Sequence, residues 1–140
     1  VYEIFDHTAD LGLRVRSPSF AGLCEDAARG LCEIIAGDPD VVQPRSTERF
    51  EIPGDDPAMI LFDWLNELLY AFESRRMLYS CFEAERTPAG LRAEARGERY
   101  DPERHALAHE VKAITYHGLQ VRRLGSGPGE QWEATVIVDI

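Results

Sequence analysis

Lysine is almost absent from this chain: of its 15 basic residues, 14 are arginine and Lys112 stands alone. Basic charge as a whole is outweighed, with 25 acidic residues leaving a net charge of −10. Nonspecific binding to a phosphate backbone draws its affinity from clustered Lys and Arg, so strong direct nucleic-acid binding is not expected. Basic partners or cations suit such a surface better. Cysteine is also scarce. Cys24, Cys32 and Cys81 are odd in number, widely spaced and form no C-x-x-C, which excludes a disulfide framework and a zinc site and leaves core thiols. No apolar run approaches the ~20 residues needed to cross a bilayer. Nor does the start show a basic segment followed by an apolar stretch and a cleavage site, so the expectation is a cytoplasmic protein with no membrane partner. The phosphate-loop, nucleophile-elbow and dinucleotide-binding glycine motifs are missing too.

What is present is patterned apolar sequence over one stretch of 140 residues without a Pro/Gly/Ser-rich linker, which predicts a single domain over 1–140. Tyr2 to Phe5 and Leu11 to Val15 read as strands, the second alternating Leu11, Leu13 and Val15 with polar or small residues. Ser19 is a predicted N-cap. Phe20, Leu23, Cys24, Ala27, Ala28 and Leu31 then recur at helical spacing in a stretch that ends at Gly37. Glu48 to Ile52 gives a short strand closed by Pro53-Gly54. Asp56 caps a second helix with Pro57 at its first position, and Ile60, Leu61, Trp64, Leu65, Leu68, Leu69 and Phe72 form its apolar stripe. Leu78 to Ala84, Leu91 to Glu98, Val111 to Val121 and Glu133 to Val138 complete the strands. The order ββαβαββββ predicts an α+β domain with a mainly antiparallel or mixed sheet and both amphipathic helices on one face.

Three groups of residues are candidates for chemistry. DHTAD (residues 6–10) places Asp6, His7 and Asp10 between two strands, at a junction or bulge. It reads either as a turn, since Asp and Thr side chains bond nearby backbone N–H groups, or as part of a hard-cation site in which Asp10 supplies oxygen. Asp139 follows the apolar run of TVIVDI, and Ile140 adds a second carboxylate beside it if it is the true C-terminus. In HEVKAITYHGLQV, Lys112 reads either as a solvated strand lysine or as a cation held near carboxylates or reaching for a partner's phosphate or nucleotide. On strand spacing it falls on the face opposite His109. His7, His109 and His117 lack any metal-ligand spacing and read as packing or supporting groups.

Taken together, FDHTADLGLRV, WLNELLYAF, HEVKAITYHGLQV and the final WEATVIVDI resemble the archease family in that order and over nearly the whole chain. The departures lie in residues 37–48 and 99–108 and at Val138, where an aromatic residue is common. The resemblance implies an accessory protein, not itself an enzyme, that activates an RtcB-type RNA ligase in tRNA splicing and RNA repair. It would promote guanylylation of the ligase histidine and support multiple turnover, with GTP engaged through the ligase. It further implies a divalent-cation site at Asp10, Asp139 and Ile140, with Ca²⁺ expected first and Mn²⁺ or Mg²⁺ as alternatives. Lys112 matches the lysine of the family's V-K-A-I-T-Y segment and is expected to serve the partner or its activation, and Asp6 and His7 are candidates for supporting the site. A general chaperone-like interaction module and a stand-alone metal-dependent hydrolase are the competing classes.

Overall fold

The computed structural model describes residues 1–140. Its elements are β1 (Tyr2–His7), β2 (Asp10–Ser17), α1 (Phe20–Ala36), β3 (Ser46–Pro53), α2 (Pro57–Arg75), β4 (Met77–Thr87), β5 (Gly90–Arg99), β6 (Ala113–Leu124) and β7 (Gln131–Asp139). That order is the ββαβαββββ expected. Single 3₁₀ turns at Pro39–Val41 and Gly127–Gly129 are added.

The helices begin where their capping residues require. Ser19 accepts the Gly22 N–H at 3.0 Å, and the Gly37 N–H closes the other end on the Glu33 carbonyl at 2.7 Å with φ of 79°. Pro57 opens α2 behind Asp56, whose side chain accepts from the Ala58 N–H. The second helix runs past Phe72 to Arg75 and stops at Arg76, which takes the left-handed conformation at φ 58° and donates to the Phe72 carbonyl at 2.8 Å.

One sheet was expected, and there are two. The first has the order β1-β2-β7-β6 and the second β3-β5-β4, every pairing antiparallel. Strand alternation defines which face of a strand is apolar but not which strands share a ladder, so the division was not readable from periodicity. Helix α1 packs on strands of both sheets, chiefly β2 and β4, while α2 lies mainly against β6. A single apolar cluster joins the layers, and the Trp64 indole N–H, fully buried, donates to the Cys24 carbonyl at 3.0 Å to pin the helices together. The free edge of β4 is blocked where the Ala84 N–H donates to Glu25 of α1 at 2.8 Å. No helix is long and apolar enough to cross a membrane.

Cys24 and Cys32 are core thiols as expected, and burial pushes the Cys32 thiol up to about 12. Cys81 is exposed instead. The β4–β5 register slips between Tyr79 and Cys81, which turns Cys81 outward.

Candidate cation site at the end of the four-stranded sheet

DHTAD is the tip of the β1–β2 hairpin. His7 and Asp10 close the ladder opposite one another, Thr8 and Ala9 make the turn, and Ala9 takes φ of 63°. The junction is therefore a tight turn. Side chains in β2 alternate, with Leu11, Leu13 and Val15 buried toward the helices and Arg14 and Arg16 exposed on the other face. Asp10 belongs to that outer set. Gly12 lies between them because the Phe5 ring covers it so closely that a Cβ there would come within 2.1 Å of the ring.

The same alternation runs along β7, where Trp132, Ala134, Val136 and Val138 face inward and Asp139 does not. Leu11 pairs with Val138, so continuing the antiparallel register by one residue sets Asp10 beside Asp139 on the outer face. Asp139 also pairs with Ala113 of β6, and its carbonyl accepts the Lys112 N–H at 2.8 Å. Lys112 precedes β6 instead of lying within it, and its side chain is exposed. Ile140 is half-buried against the core. Three neighbouring strands thus bring Asp10, Asp139, Ile140 and Lys112 to one end of one sheet.

The other expected residues separate. His7, opposite Asp10, shares its outer face and is exposed. Asp6 pairs with Leu11 and so points the other way, toward a cleft of about 660 Å³ that Glu33, Asp38 and His109 also line. His117 sits in a bulge of β6, where the register against β7 shifts between Thr115 and Gln120, and the bulge covers Ile137. No group of three or more His, Cys, Asp and Glu side chains is gathered to hold a metal ion. Two aspartates in one register row, with the oxygens of Ile140 next in the chain, fit a hard cation by donor type.

Neither Asp10 nor Asp139 takes part in an ion pair. Glu98 is the opposite case, and the sequence reading missed it. This carboxylate near the end of β5 is 5% exposed. It accepts the Gln43 N–H at 2.8 Å and a bond from His105 Nε2 at 2.9 Å, and it pairs with Arg104 and, at 3.3 Å, with Arg45. His105 Nδ1 accepts the Asp101 N–H at 2.9 Å, so the ring's own proton sits on Nε2 and is donated to Glu98. Burial pushes the Glu98 carboxyl up, but the Gln43 N–H, Arg104 and His105 together outweigh it and hold the carboxyl down at about 2. Alternation sets Glu98 on the polar side of β5 with Arg92, Glu94 and Arg96, and it is buried only because the segments carrying Gln43 and His105 fold over it, so strand periodicity gave no signal.

Residues 2–140 match the family model described as "Archease protein family (MTH1598/TM1083)". The chain is 37% identical to the protein archease of Methanopyrus kandleri, covering 99% of both, and 34% identical to that of Pyrococcus abyssi, covering 99% of this chain and 98% of the relative. The solution structure of Methanobacterium thermoautotrophicum protein 1598 superposes with a TM-score of 0.81 at 31% identity, covering 99% of this chain and 98% of that one. The chain belongs to the archease family.

Proposed function

We propose that this protein is a cytoplasmic activator of an RtcB-type RNA ligase, serving tRNA splicing and RNA repair by promoting guanylylation of the ligase histidine without turnover of its own. The observation that carries the reading is the three-strand register, which sets Asp10 beside Asp139 with the Lys112 N–H on the Asp139 carbonyl. The family membership supports the partner, and the register supports the site.

Two carboxylates in adjacent positions repel one another unless a positive charge compensates them. Asp10, Asp139 and a main-chain oxygen of Ile140 would hold a divalent cation, Ca²⁺ first, Mn²⁺ or Mg²⁺ otherwise. When bound, that ion supplies charge neutralisation next to a phosphate. Lys112 is exposed at the same strand ends, free to reach the ligase or the nucleotide held there. Phosphoryl transfer depends on alignment and neutralised charge more than on covalent help, so the acids and the lysine would act on the ligase by supplying charge and position. His7 is exposed beside Asp10 on the same face, whereas Asp6 lines the neighbouring cleft.

The test is guanylylation of the ligase from the same organism with GTP and Mn²⁺ at limiting ligase, with this protein wild-type, Asp10→Ala, Lys112→Met or absent. Acceleration by the wild type, lost in both variants while ligase binding is kept, is the expected result. Equal rates in all four would end the reading and bring the chaperone-like module forward.

A further inference from the structure

The far end of the four-stranded sheet gathers arginines. The register sets Arg16 and Arg122 on either side of Glu133, and Arg123 beside Trp132. Glu133 takes both Arg16 and Arg122, the latter at 3.0 Å, and Glu130 takes Arg123. Arg86 comes in from β4 of the other sheet. Its guanidinium stacks 4.9 Å from the Phe20 ring centre and 5.6 Å from that of Trp132, with Arg123 on the same indole at 6.0 Å. Phe20 and Trp132 pack on each other at 5.2 Å.

Arg86 is exposed and has no ion-pair partner, although most arginines of this acidic chain do. Glu25, near enough to act with Arg86 on the Cys24 thiol, is committed to the Ala84 N–H. On the Trp132 side of the sheet Arg86 and Arg123 therefore meet a single carboxylate, Glu130, while Arg16 and Arg122 share Glu133 on the outer face, and the Arg86 fork is held in place by two rings with its donors open.

We propose that this end is a docking surface for carboxylate groups on the ligase, with Arg86 and Arg123 as its anchors. The inference rests on the function proposed above and adds the contact that brings the acid end into position. Planar forks match carboxylate oxygens in pairs, and Arg and Trp concentrate binding energy at interfaces. A long polyanion such as RNA is disfavoured by the net charge of −10. Trp132 and Phe20 are only 6% and 3% exposed, so they offer no platform for a base. Arg16 and Asp10 are six residues apart along β2, roughly 20 Å, so docking and activation are separable by mutation.

The experiment titrates the full chain against the ligase and reads both the concentration for half-maximal guanylylation and the plateau rate. Arg86→Ala should raise the half-maximal concentration roughly tenfold, a loss typical of an interface anchor, and leave the plateau intact. Arg86→Lys should fall between, and added salt should weaken the wild type more than Arg86→Ala. Asp10→Ala should lower the plateau at an unchanged half-maximal concentration. An unchanged half-maximal concentration in Arg86→Ala, with melting like the wild type, overturns the inference and leaves the function standing. Loss of binding to a single-stranded RNA oligonucleotide in Arg86→Ala, with ligase affinity unchanged, overturns it in favour of an RNA surface. A wild type that neither binds nor activates the ligase removes the function and the inference together.

Discussion

Glu98 and the Asp10–Asp139 pair are carboxylates at strand ends of the same small domain, and the chain treats them in opposite ways. Glu98 is buried and closed by a backbone N–H, a histidine and two arginines. Asp10 and Asp139 are half-exposed, lie side by side by register, and have no cationic partner. A buried charge must be compensated by the fold itself, because water cannot do it. A half-exposed pair can wait for compensation from outside. The contrast separates carboxylates that the fold compensates from those it leaves uncompensated.

The largest expected effect tests this contrast directly. Glu98→Ala removes the acceptor shared by Gln43, His105, Arg104 and Arg45 and should cost about 3 kcal/mol, read by denaturant or thermal unfolding. Asp10→Ala should stay within about 0.5 kcal/mol, or stabilise slightly, since it relieves repulsion without unpairing anything. Comparable losses in both would break the distinction.

Adding the missing compensation should act on the open pair alone. Ca²⁺ at a hundredfold excess over its dissociation constant should stabilise the wild type by about 2.7 kcal/mol, seen as a raised melting temperature. Asp10→Ala and Asp139→Ala should lose that shift, whereas Glu98→Gln, though less stable, should keep it. A shift that survives both aspartate substitutions would place cation binding elsewhere.

How much of this contrast the sequence revealed depends on which residues carry it. Alternation in LGLRV and TVIVD located the strand ends, and the caps at Ser19 and Asp56 located both helices, because each rests on interactions within a few residues. DHTAD could be read as special but not resolved, since a tight turn and a cation site use the same residue types. The Glu98 knot was invisible for another reason. Its partners come from residues 43, 45, 104 and 105, two loops with no period that are brought together only by the fold. The separation of Asp6 from Asp10 follows from hairpin register, which a five-residue motif does not show. The split into two sheets likewise depends on partner choice between strands.

Acid unfolding sharpens the comparison at a smaller scale. The Glu98 carboxyl sits at about 2 in the fold against an ordinary 4.5, so the unfolded chain binds its proton first. Its contribution is complete above 4.5 and is lost as pH falls from there through about 2. Over that window the wild type should lose up to about 1.4 kcal/mol more per pH unit than Glu98→Gln. Parallel acid limbs in the two proteins would mean that the fold does not hold the Glu98 carboxyl below its unfolded value.

The smallest effect isolates burial from geometry. Arg49 pairs with Glu94 at 3.0 Å, closer than the 3.3 Å between Arg45 and Glu98, yet the Arg49 side chain is 83% exposed and Glu94 29%. Water solvates either group once the other is removed, and holding two long side chains in one geometry offsets most of the attraction. Arg49→Ala should therefore cost no more than about 0.5 kcal/mol, whereas Arg45→Ala, which deprives a 5% exposed carboxylate of a donor, should cost more despite the longer pairing distance. If the two losses were equal, pairing distance and not exposure would govern the charges of this domain, and the reading of Asp10 and Asp139 as an open site would lose its physical basis.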